Sequence, residues 1–403
     1  MNVAHIFALV LLIAYLGERT ILGRLRIGGE TRHLFLLGGE FIALGALLGP
    51  RALNVLSDSV LLELRPVLAM GIGWLGLLLG LQFSREHLRR FPAGTLFAAF
   101  GLPVAMAMAV FPLLLLALQV FGFAASSLRD LLVAVAVLVA ATSCTSPTSI
   151  ALMTRSIRKR IETAYLLRIV SALDGVPGVV GLGLLYGFLQ TQVGPLGGLA
   201  VAIGAPAALA LLFFALLRQL RDPDELIVIL LGVITFAGGA AFTARVSSLF
   251  STLTVGVLLA QMPVQRRTLS RVLAKTERPF YIVFLILAGA QWHFASLRLL
   301  AFGLAYVGLR VLTKLVVPAL AGAFLGNREV MPAHFGLGLL GQGGLSLAIA
   351  LEYDLLFPSE LSEAVLAAVI VAIIVNQVLA PAGLRWLLGG PPAGEPKRRE
   401  VLA

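Results

Sequence analysis

Two groups of residues have the types and spacing to do chemistry. Thr142, Ser143, Thr145, Ser146, Pro147, Thr148 and Ser149 crowd into one stretch, and Asp174 follows, trailed by Gly175, Pro177 and Gly178. Both sit inside long apolar runs. Proline removes a backbone donor and splays a helix, which frees carbonyls and hydroxyls where little water can satisfy them. A carboxylate at mid-bilayer costs about 2.5 to 3.5 kcal/mol, so an acid there marks a working site. Hydroxyl oxygens on a loosened backbone beside a buried acid are the donor set of a small dehydrated cation. Burial sets a proton and that cation in competition for the same oxygens. The ion-binding and proton-carrying residues expected are Asp174, Thr145, Ser146 and Thr148.

A second interruption lies at Gly341, Gln342, Gly343 and Gly344, in another apolar run. Paired with the break at Pro147, it points to two discontinuous helices that cross. Such a crossing leaves helix ends facing each other with partial charges that need compensation. Arg310 and Lys314 lie four apart on one face of a long apolar stretch, too central to reach water comfortably. One of them is expected to neutralise the negative ends, and sequence alone does not choose which. Lys314, whose charge responds to burial, is also a candidate proton carrier. Glu40 is mid-membrane too, but in a span without a break, where an interface or structural role is expected.

The elements that must position these residues are membrane helices. The chain has 403 residues, 59% hydrophobic and only 13% charged, far outside the soluble range. Apolar segments fall near 3–17, 33–49, 66–83, 91–122, 131–153, 161–189, 194–217, 226–243, 247–263, 279–292, 295–326, 332–351 and 362–388. An all-α polytopic protein of about thirteen transmembrane helices is therefore expected, with the first helix retained. The net charge of +11 does not imply nucleic acid, because the basic residues cluster in short loops between apolar runs. With the N-terminus outside, only Arg51, Arg65, Arg129, Arg245 and Arg298 fall in outer loops and Arg168, Arg310 and Lys314 within spans. The remaining Lys and Arg are cytoplasmic, as is the C-terminal tail. The last outer loop, with Glu352, Asp354, Glu360 and Glu363, is acidic.

Weak self-similarity adds an architecture. The segment GLQFSREHLR, ending at Arg89, matches GAQWHFASLR, ending at Arg298, and TSPTSIAL, ending at Leu152, faces GGLSLAIAL, ending at Leu351. Each offset skips seven helices. An odd number inverts orientation, so two inverted-topology repeats are expected, with the discontinuous spans 5 and 12 in matching positions. The five histidines show no ligand spacing and Cys144 is the single cysteine, so no metal is expected beyond a transported monovalent cation at Asp174. No Walker motif and no Ser/His/Asp arrangement is present, and neither a cofactor nor an enzyme activity is expected.

These stretches in this order resemble the monovalent cation:proton antiporter superfamily, the sodium/proton exchangers and their potassium-efflux relatives. LGALLGPRAL at 44–53 and LLLGLQF at 77–83 are similar to the family's second and third helices. TSPTSI at 145–150 is similar to its discontinuous fifth, LDGVPG at 173–178 to its acidic sixth, and GQGGLSLAIA at 341–350 to its twelfth. The resemblance implies a homodimer in the cell membrane that exchanges Na+, or K+ or Li+, for H+ by elevator-type movement, electroneutrally. It also implies a division into scaffold (1–90 and 224–293), transporting core (91–190 and 294–390), linking helix (191–223) and short cytoplasmic tail (391–403). Asp174 matches the ion-binding aspartate. The chain departs from the family pattern at Leu173, Ile169 and Leu345, where polar or acidic side chains are usual. The rival readings are a potassium/proton antiporter and a transport-inactive sensor or assembly subunit of the same fold.

Overall fold

In a chain this apolar the backbone must satisfy its own polar groups, which helices do within one segment. The computed structural model is helical: no strand occurs among the described residues, which are 38–89, 91–123, 125–154, 161–189, 194–219, 223–261, 281–292, 296–324, 326 and 329–389, with isolated positions between 5 and 12. Besides the short helical turns Asp58–Glu63 and Arg85–Leu88, the helices are α1 (Gly39–Leu48), α2 (Arg65–Leu81), α3 (Ala93–Val120), α4 (Leu128–Ser143), α5 (Pro147–Thr154), α6 (Ile161–Leu173) and α7 (Val176–Phe188). They continue with α8 (Gly194–Gln219), α9 (Pro223–Thr243), α10 (Ser248–Leu259), α11 (Tyr281–Ala290), α12 (Leu297–Phe324), α13 (Gly344–Leu356) and α14 (Glu360–Leu388). A 3-10 turn, Phe335–Leu339, precedes α13.

Five segments are long and apolar enough to cross a membrane: Gly94–Val120, Ile161–Phe188, Gly194–Ala215, Leu297–Phe324 and Glu360–Leu388. Others, among them α1, α2, α10 and α11, are apolar but shorter. Every apolar segment expected from residue 33 onward contains a described helix; the segment at 3–17 lies mostly outside the described residues. Phe97, Met108, Leu116 and Val120 on α3, and Leu312, Leu320 and Phe324 on α12, are exposed large apolar side chains. They form a surface suited to lipid.

Helix contacts form two neighbourhoods, which meet where α13 touches α2 and α10 and where α7 touches α10. The long helix α12 lies against α3 and α14, and α13 against α4 and α14. Elsewhere α2 and α10 touch backbone to backbone: a Cβ at Gly76 would stand 2.3 Å from the Leu249 carbonyl oxygen, and one at Gly256 2.6 Å from that of Leu77. The pair α1 and α11 meets the same way, at Gly45 against Ile286 O and Gly289 against Ile42 O. Small residues permit this closeness.

Segment 161–189 carries a turn at Asp174 and Gly175, ahead of Pro177 in the first turn of α7. One expectation needs correction. Glu352 is not a loop residue. The helix that starts at Gly344 runs past the end of the apolar run and carries Glu352 inside, 4% exposed.

Candidate ion-binding site

The two breaks are in contact. Helix α4 stops at Ser143, residues 144–146 are non-helical, and α5 restarts at Pro147, where the missing N–H costs nothing. The 3-10 turn stops at Leu339, residues 340–343 are non-helical, and α13 starts at Gly344. The Ser146 N–H donates to the Gly341 carbonyl at 3.0 Å, fastening one break to the other.

Asp174 reaches this contact from the turn between α6 and α7. It is 3% exposed. Its Oδ1 accepts from the Thr145 N–H at 3.0 Å, and its Oδ2 accepts from the Thr145 hydroxyl. Lys314, fully buried on α12, places Nζ 3.5 Å from Asp174 Oδ2. The same ammonium donates to the Ser143 carbonyl at 2.6 Å and to Thr145 Oγ1 at 2.9 Å. Thr145 therefore accepts from the lysine and donates to the aspartate through one oxygen.

Arg310 stands one turn earlier on the same face of α12 and is also fully buried. Its Nη1 donates to Leu340 O at 2.8 Å and its Nη2 to Cys144 O at 3.0 Å. Those carbonyls belong to the C-cap residues of the 3-10 turn and of α4. Helix C-termini carry negative partial charge, and one planar guanidinium spans both. The question left open by the sequence thus has a double answer: Arg310 compensates the helix ends, and Lys314 pairs with the acid.

The remaining expected residues divide. Ser146 is buried in the crossing, beside Gly343. Thr148 and Pro147 are exposed, and among the described residues no hydrogen bond joins Thr148 to Asp174. Gly341 and Gln342 are buried, Gly343 is half-buried, and Gly344 abuts Tyr281. Gln342 Oε1 lies 3.5 Å from Asn376 Nδ2, while Gln342 Nε2 and Asn376 Oδ1 have no hydrogen-bond partner among the described residues. Glu40 lies on α1, and its Oε1 has no hydrogen-bond partner among the described residues. Arg168 does not pair with Asp174; its Nε donates to Thr154 Oγ1 at 2.7 Å.

Tyr306 and Asn376 were missed. The Tyr306 hydroxyl lies 3.2 Å from Thr142 Oγ1. Its signal was available, since Tyr306, Arg310 and Lys314 recur every fourth residue on one face. Asn376, a lone amide in the apolar run of α14, gave a fainter one.

A cavity of about 210 Å³ approaches the site, lined by Gln82, Leu88, Phe91, Arg168, Ile169, Ala172 and Leu173. Its wall includes two of the three positions where the chain departs from the family pattern. The third, Leu345, packs toward Gly175, where a Cβ would come within 2.4 Å of Leu345 Cδ2.

Interrupted helices touching above a buried carboxylate–lysine pair, in a multi-pass helical membrane protein, give the fold of the sodium/proton antiporter type. The solved structure of the sodium proton antiporter MjNhaP1 from Methanocaldococcus jannaschii is similar to this chain with a TM-score of 0.63 and 15% identity, covering 95% of this chain and 100% of that one. No family model matches the sequence, and no curated protein matches it.

Proposed function

We propose that the protein exchanges a monovalent cation, sodium by preference, for a proton, with Asp174 and Lys314 as the exchanging pair. The position of Lys314 Nζ carries this reading. An ammonium 2.6 to 3.5 Å from Ser143 O, Thr145 Oγ1 and Asp174 Oδ2 occupies the oxygen cage that a dehydrated alkali cation would need. Two positive charges a few ångströms apart in so dry a place repel strongly. A cation therefore enters as Lys314 gives up one proton and withdraws as a neutral amine, while Asp174 keeps its charge. One cation bound for one proton released leaves the net charge of the site unchanged, which makes the exchange electroneutral.

In the same reading the transporting core, 91–190 with 294–390, moves like an elevator against the scaffold, 1–90 with 224–293, joined by the linking segment 191–223. The cavity at Leu173 is the cytoplasmic approach. Thirteen spans in two inverted repeats suit the helix contacts: with spans 2 and 3 equivalent to spans 9 and 10, the close pair α1–α11 corresponds to the close pair α10–α2. A homodimer in the cell membrane, N-terminus outside, completes the proposal.

The test uses vesicles carrying the purified protein with an acidic interior. Addition of sodium should dissipate the proton gradient, with lithium and potassium giving the selectivity. Asp174→Asn should abolish the response and Asp174→Glu should retain part of it; equal rates for the native protein and Asp174→Asn would end the proposal. The aliphatic walls at Ile169 and Leu173 favour, as a second reading, a transport-inactive member of the fold. A folded native protein that moves no cation under any gradient would support it.

A further inference from the structure

The exchange scheme leaves one buried acid unused. Glu352 lies on α13 eight residues past the break, about 12 Å along a continuous helix. Its carboxylate is turned onto the start of α10: Oε2 accepts from the Ser247 hydroxyl at 2.8 Å and Oε1 from the Leu249 N–H at 2.9 Å. Ser247 is the N-cap of α10, and its Oγ also accepts from the Phe250 N–H at 2.9 Å. Glu352 and Ser247 are 4% and 2% exposed.

This contact joins the two helix neighbourhoods. Leu249, whose N–H is held by Glu352, presents its carbonyl to Gly76, one of the close approaches between α10 and α2. On the other side, α13 leads straight back to the crossing. Glu352 is therefore the charged contact through which the second broken helix holds the start of α10, beside the apolar packing of α13 on α2 and α10.

The grip is held by charge without a counter-ion. No lysine or arginine pairs with Glu352 among the described residues. Among the described residues, the titratable group facing it is a phenol, Tyr186 of α7. The α10 face offers serines, and Arg245, at the turn before α10, is exposed. A helix N-terminus and two neutral donors favour the anion. Yet a buried carboxylate with no cation beside it is readily neutralised by a proton. Uptake of one proton on Oε2 turns that oxygen into a donor, so the bond to Ser247 must reverse onto an oxygen that already accepts from the Phe250 N–H, and both bonds to α10 lose their charge assistance.

We propose that Glu352 is a second proton-binding residue, distinct from Lys314, and that its protonation loosens the hold of α13 on the N-terminus of α10. Its place rests on the geometry alone; its consequence, that movement of the core is gated by pH, rests on the exchange reading. Glu352 is a positioning residue in this scheme and touches no transported cation.

Hydrogen exchange of the segment around Ser247–Phe250 in the purified full-length protein tests the loosening without any transport. After correction for intrinsic chemistry, protection should fall about tenfold or more between alkaline and acidic pH, as the bonds to α10 lose their charge assistance. Glu352→Gln should make protection independent of pH, and Asp174→Asn should leave the native response in place. Ser247→Ala, which keeps the carboxylate but removes a donor to the anion, should move the transition to higher pH and guards against misfolding of the first variant. In vesicles, Glu352→Gln should alter the pH profile of exchange and leave the cation KM unchanged. A pH-independent native protein, or a Glu352→Gln variant that titrates like it, overturns the proposal. Failure of every variant and of the native protein to exchange ions would instead count against the exchange reading, with the hydrogen-exchange result still judging Glu352.

Discussion

At the scale of single residues, the site depends on a lysine being where an arginine would also fit electrostatically. Lys314 can hold Asp174 as an ammonium and let go as an amine; an arginine stays charged at any pH a protein meets. Lys314→Arg should therefore keep the fold and the charge balance yet slow exchange by roughly two orders of magnitude or more, the scale on which proton-transfer groups contribute. Thermal melting of the same sample separates this from unfolding, and near-native exchange by Lys314→Arg would show that the proton is carried elsewhere. Asp174 was legible in the sequence because a lone acid in an apolar run is costly, and Thr145 because hydroxyls around a proline are. The assignment of Arg310 and Lys314 was not legible. Their spacing places both on one face, but only the depth of each break decides which cation meets carbonyls alone and which meets the acid as well. Thr148, one residue past the proline, shows the opposite limit: composition drew it into the site, and the restart of α5 turned it outward.

At the scale of elements, a broken helix is stable only if its exposed ends find partners. Arg310 does this for two ends at once, through Leu340 O and Cys144 O. Arg310→Lys retains a positive charge but loses the planar fork, leaving one buried carbonyl unmet. It should lower stability by about 2 kcal/mol, read as a drop in melting temperature, while Arg310→Ala should cost more. A melting temperature unchanged in both would remove the guanidinium from its bridging role. Element boundaries followed the apolar runs closely, since lipid-facing and buried helices alike must be apolar. What the runs concealed was continuation: α13 carries Glu352 beyond the end of its apolar run because its acid has a helix N-terminus to meet.

At the scale of the whole molecule, the pieces are related by contact. The two breaks are fastened to each other by Ser146 and Gly341, α12 delivers both cations to them, and α13 runs from them to the α2–α10 pair. A fold similar to that of a solved sodium proton antiporter at 15% identity shows that this architecture tolerates many different side chains. The number of spans, the repeat and the orientation were argued from loop charge and spacing, and the close helix pairs at Gly45, Gly289, Gly76 and Gly256 suit that argument without depending on it. If Asp174 and Lys314 trade one proton for one cation, the trade takes place in the isolated protein, with no gradient and no vesicle. The most direct measurement is calorimetric sodium binding to the detergent-solubilised protein in buffers of different ionisation enthalpy. One proton released per sodium bound is expected for the native protein, with neither binding nor release for Asp174→Asn. Sodium binding without proton release, or release that survives Asp174→Asn, would contradict exchange at this pair.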